Sequence, residues 1–370
     1  MALLDIASLA KSYRREPVLT DISLRAAAGE IVVVFGPSGT GKTVLLRLVA
    51  GLEPPSGGTI ALDGLDMEGV PPEQRGVGMA FQNFALFPHM TAFENIASPL
   101  RAINANGGVA AGVAKVARLL KIEHVLGHAP RELSNGQRQR TSLARALAAS
   151  PKILLLDDPL RNVDAKLRFE MRLELPKLLR QAGSAVLYVT QDYKEAMALA
   201  DRIAVLLDGR FEQVATPEEI YNAPHSLAVA RLFGDPAINV AEARIRASNA
   251  SGASLALADA TLPVAPALRA EAGRLVTAGI RPEALAIVNG TGRAGDLSAV
   301  VEAVTPLNER TVLLLKAPSG WEFLASLPSS GAAIPEAGSR VRVEIAPSGL
   351  HLFDRETGRR LAADASQEAS

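Results

Sequence analysis

The sequence predicts an α/β domain built on a mostly parallel sheet, followed by a small all-β domain. The 370 residues exceed the length of one ordinary domain and allow two, each with its own core. Up to about residue 230, short apolar runs alternate with helix-length segments, as they do when helices connect parallel strands. After Pro236 the pattern changes to short β-like runs separated by Gly, Pro and Asn. We therefore expect one domain over residues 1–235 and a second over residues 236–370.

Four continuous apolar runs predict the buried strands of the parallel sheet. They lie at residues 31–35, 153–156, 185–189 and 203–207. Residues near 1–30 and 58–80 have the pattern of short strands joined by turns such as Asp63-Gly64, and they predict an antiparallel β subdomain. Residues 91–150 have a mostly helical pattern, which predicts a helical subdomain over about 84–150.

In the last third of the chain, short β-like runs indicate a small OB-like barrel or sandwich. The runs include Ser298 to Val304, Thr311 to Leu315 and Arg340 to Ile345. The last six residues, 365–370, have the sequence Ala-Ser-Gln-Glu-Ala-Ser, and we expect them to fray.

The balance of charges argues against partners that bind through overall electrostatic attraction, such as nucleic acids and acidic membranes. The 39 basic residues balance 39 acidic ones, so we expect no nucleic-acid partner and no attachment to an acidic membrane by charge alone. Cysteine is absent, which excludes disulfides and cysteine-ligated metals and fits a reducing cytosol. The start of the chain lacks the features of a secretion signal, and no apolar run approaches the length of a membrane span. Membrane attachment would therefore come through another protein.

A glycine-rich segment between the first apolar run and a helix-like stretch, Val44 to Ala50, indicates a phosphate-binding loop. The segment consists of Gly36, Pro37, Ser38, Gly39, Thr40, Gly41, Lys42 and Thr43. Its glycines let successive N–H groups turn toward a phosphate, Lys42 reaches the terminal phosphates, and the Thr43 hydroxyl can bind Mg²⁺. The positive end of the following helix favours the same anion. The alternative is a glycine-rich turn with a surface lysine, but the strand and helix context favours binding of a nucleoside triphosphate.

A second motif lies at the end of the apolar run 153–156, where Asp157 and Asp158 follow. A buried strand that ends in acidic residues places a carboxylate beside the phosphate loop, where Asp157 can hold Mg²⁺ through its hydration shell. Asp158 lies where a carboxylate could orient or deprotonate an attacking water. Two aspartates at a strand end are more often turn formers when they stand alone. Beside a phosphate loop, the catalytic interpretation is favoured.

The segment Leu133 to Arg140, Leu-Ser-Asn-Gly-Gln-Arg-Gln-Arg, resembles the signature motif of ATP-binding-cassette (ABC) ATPases. The motifs on both sides of this segment occur in the order typical of that family, and the resemblance covers the first expected domain. It implies that Tyr13 stacks on the adenine of ATP and that Gln82 forms a glutamine loop with roles in catalysis and Mg²⁺ binding. It also implies that Asp164 belongs to a nucleotide-contacting loop and that Gln191 senses the γ-phosphate.

The same resemblance implies a head-to-tail dimer with a second ABC ATPase subunit, identical or paralogous. Each ATP would lie between the phosphate loop of one chain and the signature segment of the other, and hydrolysis would let the dimer open. The segment Phe84 to Glu94 would meet cytoplasmic helices of transmembrane permease subunits, which a substrate-binding protein serves indirectly. The chain would then be peripheral, at the cytoplasmic face of the cell membrane. The signature residues implied to bind nucleotide are Ser134, Asn135, Gly136 and Gln137.

Three further segments resemble importer ATPases of the maltose-importer type, which energise uptake of sugars, polyols or glycerol-type solutes. They are Asn95 to Arg101, Phe233 to Asn239 and Gly279 to Glu283. This resemblance implies an ATP-hydrolysing subunit that powers solute import and carries a β-rich regulatory domain. A soluble cassette protein of DNA repair or translation is disfavoured, because the sequence shows neither a long coiled coil nor a second cassette.

Two positions depart from the family's usual catalytic residues. Asp158 stands where glutamate is usual, and Gln191 stands where histidine is usual. Aspartate reaches roughly 1.5 Å less far than glutamate, and a misplacement on the order of 1 Å can cost about a hundredfold in rate. Two interpretations stay open. The chain is an active ATPase with a weakened site, or it is a catalytically degenerate, nucleotide-gated structural subunit paired with an active paralogue.

Two further departures are expected to act at the opposite nucleotide site of the dimer. Asn135 replaces a usual glycine of the signature, and Arg161 replaces a usual small residue. Asparagine tolerates a positive φ better than most residues, so we expect the signature loop to keep its shape. In a heterodimer, Asp158 and Gln191 would weaken only the site built on the phosphate loop of this chain.

Overall fold

The computed structural model describes residues 2–103, 108–248, 252–288, 296–329 and 334–361. The chain forms two compact units, Met1–Pro217 and Glu218–Ser370. The expected boundary near residue 235, between a nucleotide-binding domain and a regulatory domain, stays a prediction. Residues 365–370, for which the sequence predicts fraying, lie outside the described residues. None of the helices in the described ranges combines the length and hydropathy that a membrane span needs.

The first unit mixes strands and helices. Its strands, within the described residues, are β1 (Ala2–Tyr13), β2 (Glu16–Ala27), β3 (Ile31–Phe35), β4 (Gly57–Leu62), β5 (Leu65–Asp66), β6 (Val77–Ala80), β7 (Ile153–Asp157), β8 (Ala185–Thr190), β9 (Arg202–Leu207) and β10 (Arg210–Ala215). Its helices are α1 (Lys42–Ala50), α2 (Ala92–Ala102), α3 (Val109–Leu119), α4 (Asn135–Ala148), α5 (Ala165–Ala182) and α6 (Tyr193–Leu199). Short 3₁₀ turns lie at Pro72–Gln74, Glu123–Val125 and Pro130–Glu132.

A sheet of six strands, counted over the described residues, forms the centre of the first unit. Its strand order is β10-β9-β3-β8-β7-β6. Strand β3 pairs in parallel with β8 and β9, and β7 pairs in parallel with β6 and β8. Every residue of β3, β7 and β8 is buried, which explains their continuous apolar sequences. The four strands predicted from apolar runs are therefore confirmed.

Two expectations for the N-terminal β segments are wrong. Residues 77–80 form β6, which pairs with β7 in the central sheet and not in the antiparallel one. Gly78 permits this position, because a β-carbon there would lie 2.3 Å from the carbonyl oxygen of Ala146. The antiparallel sheet, of order β2-β1-β4-β5, contains two strands of 12 residues each, β1 and β2, where short strands are predicted. Register shifts between β1 and β2 interrupt the alternation of polar and apolar residues, which hides their length in the sequence.

Helices α2, α3 and α4 pack against one another, as the helical pattern of this region predicts. Helix α2 begins with a capping box, in which the Thr91 hydroxyl accepts a hydrogen bond from the N–H of Glu94 at 3.2 Å. The Glu94 carboxylate in turn accepts one from the N–H of Thr91 at 2.8 Å. The fully buried Asn95 accepts a hydrogen bond from the N–H of Phe87 at 2.8 Å. These bonds fix the segment that precedes α2.

The second unit is built mainly of strands. Helices α7 (Pro217–Asn222) and α8 (Leu227–Leu232) precede them, and α7 begins at the unit boundary. The strands, within the described residues, are β11 (Asn239–Ala247), β12 (Ala253–Leu257), β13 (Ala260–Val264), β14 (Leu275–Ile280), β15 (Leu285–Val288), β16 (Leu297–Pro306), β17 (Arg310–Lys316), β18 (Glu322–Pro328), β19 (Arg340–Ile345) and β20 (Leu350–Asp354).

These strands form two antiparallel sheets around one apolar core. Over the described residues each sheet has five strands, in the orders β13-β12-β11-β14-β20 and β15-β19-β16-β17-β18. Both sheets contribute buried side chains to the core, among them Ile245, Leu255, Val276, Leu313 and Phe323. The three runs predicted from the sequence correspond to β16, β17 and β19. The predicted small all-β domain is confirmed.

A buried histidine in β20 gives the second unit a sensitivity to acid. His351 is buried, and its Nδ1 atom has no hydrogen-bond partner among the described residues. Burial, together with the positive charges of Arg281 and Arg360, lowers the pKa of His351 to about 4. A histidine in an unfolded chain has a pKa of about 6.5. Between these values the unfolded chain binds a proton that the folded unit excludes.

We predict that acidification from pH 7 to pH 4 destabilises the second unit through His351, by up to about 3 kcal/mol. The stability is fully present above a pH of about 6.5 and is lost as the pH falls toward about 4, because the folded-state pKa lies below the unfolded-state pKa. Urea unfolding at a series of pH values measures this contribution. His351→Gln should lose that much less stability than the wild type over the range. His124→Gln, which alters an exposed histidine, should follow the wild type. Equal pH slopes for wild type and His351→Gln would contradict the prediction.

Candidate functional site

The loop between β3 and α1 forms a tight cradle that requires glycine at two positions. A β-carbon on Gly36 would lie 2.3 Å from the carbonyl oxygen of Leu206. Gly41 has a φ of 100°, and a β-carbon there would lie 2.7 Å from the Leu19 side chain. Helix α1 begins directly afterwards, at Lys42. The N–H groups of its first turn have no partner within the helix, so they favour an anion at the loop.

A cavity of about 270 Å³ opens at this loop and at the C-terminal end of β7. It brings together residues that are far apart in the sequence and that the sequence analysis assigns to one nucleotide site. The lining residues are Ser38, Gly39, Gly41, Lys42, Thr43, Val44, Gln82, Asp157, Asp158, Arg161, Val189 and Gln191.

Lys42 supplies a positive charge inside the cradle. Its ammonium donates hydrogen bonds to the carbonyl oxygens of Gly36 at 2.8 Å and Pro37 at 2.6 Å. The Thr40 hydroxyl also donates to the Pro37 carbonyl, at 3.1 Å. Burial lowers the pKa of Lys42, while the carboxylates of Asp158 and Asp157 act in the opposite direction. The loop thus holds a buried ammonium that a phosphate can pair with.

Asp157 and Thr43 form an oxygen-rich corner of the cavity. The Thr43 hydroxyl donates a hydrogen bond to Asp157 Oδ1 at 3.0 Å. Burial raises the pKa of Asp157, and the bond from Thr43 lowers it. Hydroxyl, amide and carboxylate oxygens suit Mg²⁺, which usually keeps several waters and takes only one or two carboxylates. Thr43, Asp157 and the nearby Gln82 therefore fit a Mg²⁺ ion, although no cluster of three or more His, Asp or Glu occurs in the described residues.

Asp158 is held in an uncommon backbone conformation. Its φ is 45°, in the left-handed region, which asparagine and aspartate tolerate better than most residues. Its N–H donates a hydrogen bond to the carbonyl oxygen of Val189 in β8 at 2.9 Å, so the backbone cannot move freely. Burial raises the pKa of the Asp158 carboxyl, and the positive charge of Arg161 lowers it. The backbone of Asp158 is therefore held in place, and burial in the cavity increases the proton affinity of its carboxyl.

Arg161 lines the cavity of its own chain. Its expected effect at the opposite site of a dimer stays a prediction. The guanidinium Nη1 lies 3.8 Å from Asp158 Oδ2. The reason is a turn in which the N–H of Arg161 donates to the carbonyl oxygen of Asp158 at 3.3 Å, so that residues three apart meet. The opposite charges at this spacing are the signal that sequence reasoning missed.

Gln191 is exposed at the cavity, while the backbone around it is fixed by a buried network. The Tyr188 and Thr190 hydroxyls donate hydrogen bonds to Glu195 Oε2 at 2.8 and 2.9 Å. The Thr190 hydroxyl accepts one from the N–H of Asp192 at 3.0 Å. Glu195 is 1% exposed, and burial raises its pKa, whereas the hydrogen bonds from both hydroxyls lower it. Sequence reasoning missed Glu195, whose only signal is an acidic residue in the first turn of α6.

The predicted adenine-stacking residue lies outside the cavity. Tyr13 is 42% exposed at the end of β1, and its hydroxyl donates a hydrogen bond to Glu53. The Lys11 ammonium lies 5.0 Å from the centre of the Tyr13 ring. The hydrogen bond with Glu53 raises the pKa of Tyr13. The role of Tyr13 in stacking stays a prediction.

The signature segment forms the start of α4 and does not line the cavity described above. Ser134 caps the helix, because its hydroxyl accepts a hydrogen bond from the N–H of Gln137 at 3.3 Å. The Gln137 side chain in turn accepts one from the N–H of Ser134 at 2.9 Å. A β-carbon on Gly136 would lie 2.1 Å from a methyl carbon of Leu167, so this glycine permits close packing on α5.

The signature segment does not need the tolerance of asparagine for a positive φ. Asn135 is the first residue of α4 and is exposed, and it has no positive φ. A side chain therefore fits this position without backbone strain. Asp164, a further predicted nucleotide contact outside the cavity, caps α5 by accepting a hydrogen bond from the N–H of Leu167 at 3.0 Å.

The fold places a glycine-rich loop with a buried ammonium after β3 and two carboxylates at the end of β7, two strands away in the same sheet. These features define the class of a phosphate-loop nucleoside triphosphatase. Three family models match the chain. Residues 19–161 match the model described as ABC transporter, residues 234–285 the MalK OB fold domain and residues 278–353 the TOBE domain.

Similar curated proteins span the whole chain. One is the sn-glycerol-3-phosphate import ATP-binding protein UgpC of Chromobacterium violaceum, which is 42% identical over 100% of this chain and 99% of that protein. Another is the sulfoquinovosyl glycerol transport ATP-binding protein SmoE of Agrobacterium fabrum, which is 39% identical over 97% of this chain and 99% of that protein. The chain therefore belongs to the ABC transporter family, and it is an ATPase of that family.

The solved structures agree with this assignment. The ATP-binding cassette MJ0796, in a dimeric post-hydrolysis state bound to ADP and Pi, superposes with a TM-score of 0.53 at 30% sequence identity. The match covers 58% of this chain and 98% of that one. The α/β unit thus has the fold of an ATP-binding cassette.

We predict that Lys42→Ala weakens ATP binding by about 1.5–3 kcal/mol, because it removes a charge-assisted contact to the terminal phosphates. Titration of the purified chain with a fluorescent ATP analogue and Mg²⁺ measures the affinity. Lys115→Ala is the matched control, because it removes an exposed lysine on α3 and should leave the affinity unchanged. Equal affinities of the wild type and Lys42→Ala would show that the loop does not bind the phosphates.

Proposed function

We propose that this chain is the ATP-hydrolysing subunit of an importer for a glycerol-type, polyol or carbohydrate solute. The observation that carries the proposal is the single cavity that holds Lys42, both aspartates and Gln191. Two import proteins for sn-glycerol-3-phosphate are 42% and 40% identical to this chain over 100% and 98% of its length, and their names support the solute class. The chain would be peripheral at the cytoplasmic face of the membrane. Residues 1–235 would bind nucleotide, and residues 236–370, which lack the nucleotide motifs, would regulate the assembly.

The phosphates of ATP would bind at the loop, with the ammonium of Lys42 on the terminal phosphates. Thr43, Asp157 and Gln82 would hold Mg²⁺, which neutralises the charge that develops on the phosphates during transfer. Asp158 orients a water whose oxygen attacks the γ-phosphorus as the bond to the β–γ bridging oxygen breaks. ADP and phosphate leave, and Asp158 accepts the proton of the water. Gln191 donates an amide hydrogen bond to the γ-phosphate.

Burial of Asp158 raises the pKa of its carboxyl, which supports its role as the general base. A base works best when its pKa approaches the working pH, and burial raises the pKa of this carboxyl. The left-handed turn fixes its direction. The side chain is one methylene shorter than glutamate, so its distance to the water sets the rate.

We propose that a second ABC ATPase subunit, identical or paralogous, completes the site. Ser134, Asn135 and the start of α4 do not line the cavity of this chain, and the N–H groups at such a helix end favour a phosphate. The dimeric state of the MJ0796 cassette supports this arrangement. Asp164 and Tyr13 would contact nucleotide in the same closed dimer.

Transmembrane permease subunits would dock in an apolar groove of about 890 Å³ beside the segment that precedes α2. Phe87 and Ile103 line this groove and are 42% and 60% exposed. Arg145 donates a hydrogen bond to the carbonyl oxygen of Ala85 at 2.7 Å and lies 5.5 Å from the Phe87 ring centre. A permease helix with an apolar face fits the groove, and a substrate-binding protein would act through the permease.

A second candidate is a nucleotide-gated structural subunit that closes on ATP but leaves hydrolysis to an active paralogue. The observation that favours it is the ion pair between Arg161 and Asp158, because the positive charge of Arg161 lowers the pKa of the carboxyl and makes it a weaker base. Turnover of the purified chain, alone and with its membrane partners, distinguishes the two functions.

We predict that the double variant Asp158→Glu with Gln191→His hydrolyses ATP at least about tenfold faster than the wild type at the site of this chain, the scale of a positioned base. Each single variant should gain less, because both groups act on the same water and phosphate. Steady-state phosphate release by the assembled complex measures the rates. Adding Lys42→Ala to the double variant should abolish the gain. An unchanged rate in the double variant would show that neither side chain limits the reaction.

We predict that Phe87→Ala reduces co-purification with the permease subunits at least about fivefold, because it removes an exposed aromatic side chain from the groove. ATP affinity of the isolated chain should not change. Phe169→Ala removes an aromatic side chain that is 61% exposed on α5, outside the groove, and is the matched control. Equal losses of permease for the two variants would place the docking surface elsewhere.

A further inference from the structure

Arg161 is a second cation in the nucleotide cavity, beside Lys42. It takes no part in the binding and hydrolysis steps proposed for Lys42, Asp158 and Gln191. We propose that Arg161 binds the γ-phosphate of the ATP held by its own chain and thereby releases Asp158 to hold the attacking water. This inference rests on the proposed function and names a further phosphate-binding residue for the same site.

The backbone of Arg161 is fixed on both sides, so the direction of its side chain into the cavity is built into the fold. On one side its N–H donates to the carbonyl oxygen of Asp158 at 3.3 Å. On the other, Arg168 Nη2 donates to the carbonyl oxygens of Arg161 at 3.3 Å and Val163 at 3.0 Å. The adjacent Asn162 amide donates to the carbonyl oxygen of Gln82 at 2.9 Å, which joins this turn to another edge of the cavity.

The contact between Arg161 and Asp158 is weak, so the guanidinium can leave the carboxylate and bind a phosphate. The two charged atoms lie 3.8 Å apart, beyond the range of a hydrogen bond, and the Arg161 side chain is 52% exposed. Ion pairs with an exposed partner contribute little to stability. A phosphate offers more negative charge than a carboxylate, and it can accept two parallel hydrogen bonds from the planar guanidinium.

The two cations that line the cavity lie beside different carboxylates or loops. Lys42 lies in the phosphate loop, and Arg161 lies beside Asp158. A guanidinium at this place can add a positive charge at the γ-phosphate beyond the charges of Lys42 and of Mg²⁺ at Asp157. Gln191 is neutral, so it adds none there. In the ATP complex the guanidinium then moves from Asp158 to the γ-phosphate, and the freed carboxylate accepts a hydrogen bond from the water.

The test compares affinities for ATP and ADP, because only ATP carries the γ-phosphate. Titrations with fluorescent ATP and ADP analogues in the presence of Mg²⁺ are made on the wild type, Arg161→Ala and Arg161→Lys. Arg161→Ala should weaken ATP binding about tenfold or more and change ADP binding by no more than about twofold. Arg161→Lys keeps the positive charge but loses the planar guanidinium with its two parallel hydrogen-bond donors. Its affinity for ATP should lie between those of the wild type and Arg161→Ala.

Arg118→Ala is the matched control, because it also breaks an exposed arginine–glutamate contact, of 3.4 Å, on α3. It should change neither affinity. Equal losses for ATP and ADP in Arg161→Ala, or no loss for ATP, overturn the inference and leave the proposed function intact provided that the wild type binds ATP. A wild type that fails to bind ATP overturns both.

Discussion

Burial of two neighbouring carboxylates beside one lysine ammonium is the constraint on which the rest of the first unit depends. Asp157 and Asp158 are 6% and 8% exposed, so each loses hydration that its charged form needs. The Thr43 hydroxyl compensates one carboxylate with a hydrogen bond, and Arg161 compensates the other with its charge. The parallel strands bring these groups to one edge of the sheet, because β3 ends in the loop that holds Lys42 and β7 ends in the aspartates.

The same residues offer a physical connection between the nucleotide cavity and the apolar groove. Asn162 holds the carbonyl oxygen of Gln82, and the segment that follows Gln82 runs along the groove. Arg145 secures that segment at Ala85. The nucleotide cavity and the apolar groove are therefore connected by a few short hydrogen bonds within the first unit.

Much of the fold follows from local sequence signals, whereas the departures arise from contacts that the sequence does not encode locally. Continuous apolar runs identified the strands, and the loop around Lys42 was recognisable from its glycines and its flanking elements. The sequence predicts strands up to residue 80 but not that β6 joins the central sheet, because that place depends on the close packing of Gly78 against α4. The cavity position of Arg161 depends on a turn started by the positive φ of Asp158, and Asn135 proved to be an ordinary first helical residue. These three features can be recognised only in the tertiary structure, because they depend on the course of the backbone and not on amino-acid composition.

The most direct test of the central claim is the rate of a single turnover by Asp158→Asn in the assembled complex. Asparagine keeps the size of the side chain and removes the carboxylate that would accept the proton of the water. With enzyme in excess over radiolabelled ATP, we expect unchanged or tighter ATP binding and hydrolysis slower by about a hundredfold or more at the site of this chain. The partner's own site should be inactivated by a matching change in its catalytic carboxylate. Hydrolysis by Asp158→Asn at the wild-type rate would contradict the claim that this buried aspartate performs the chemistry.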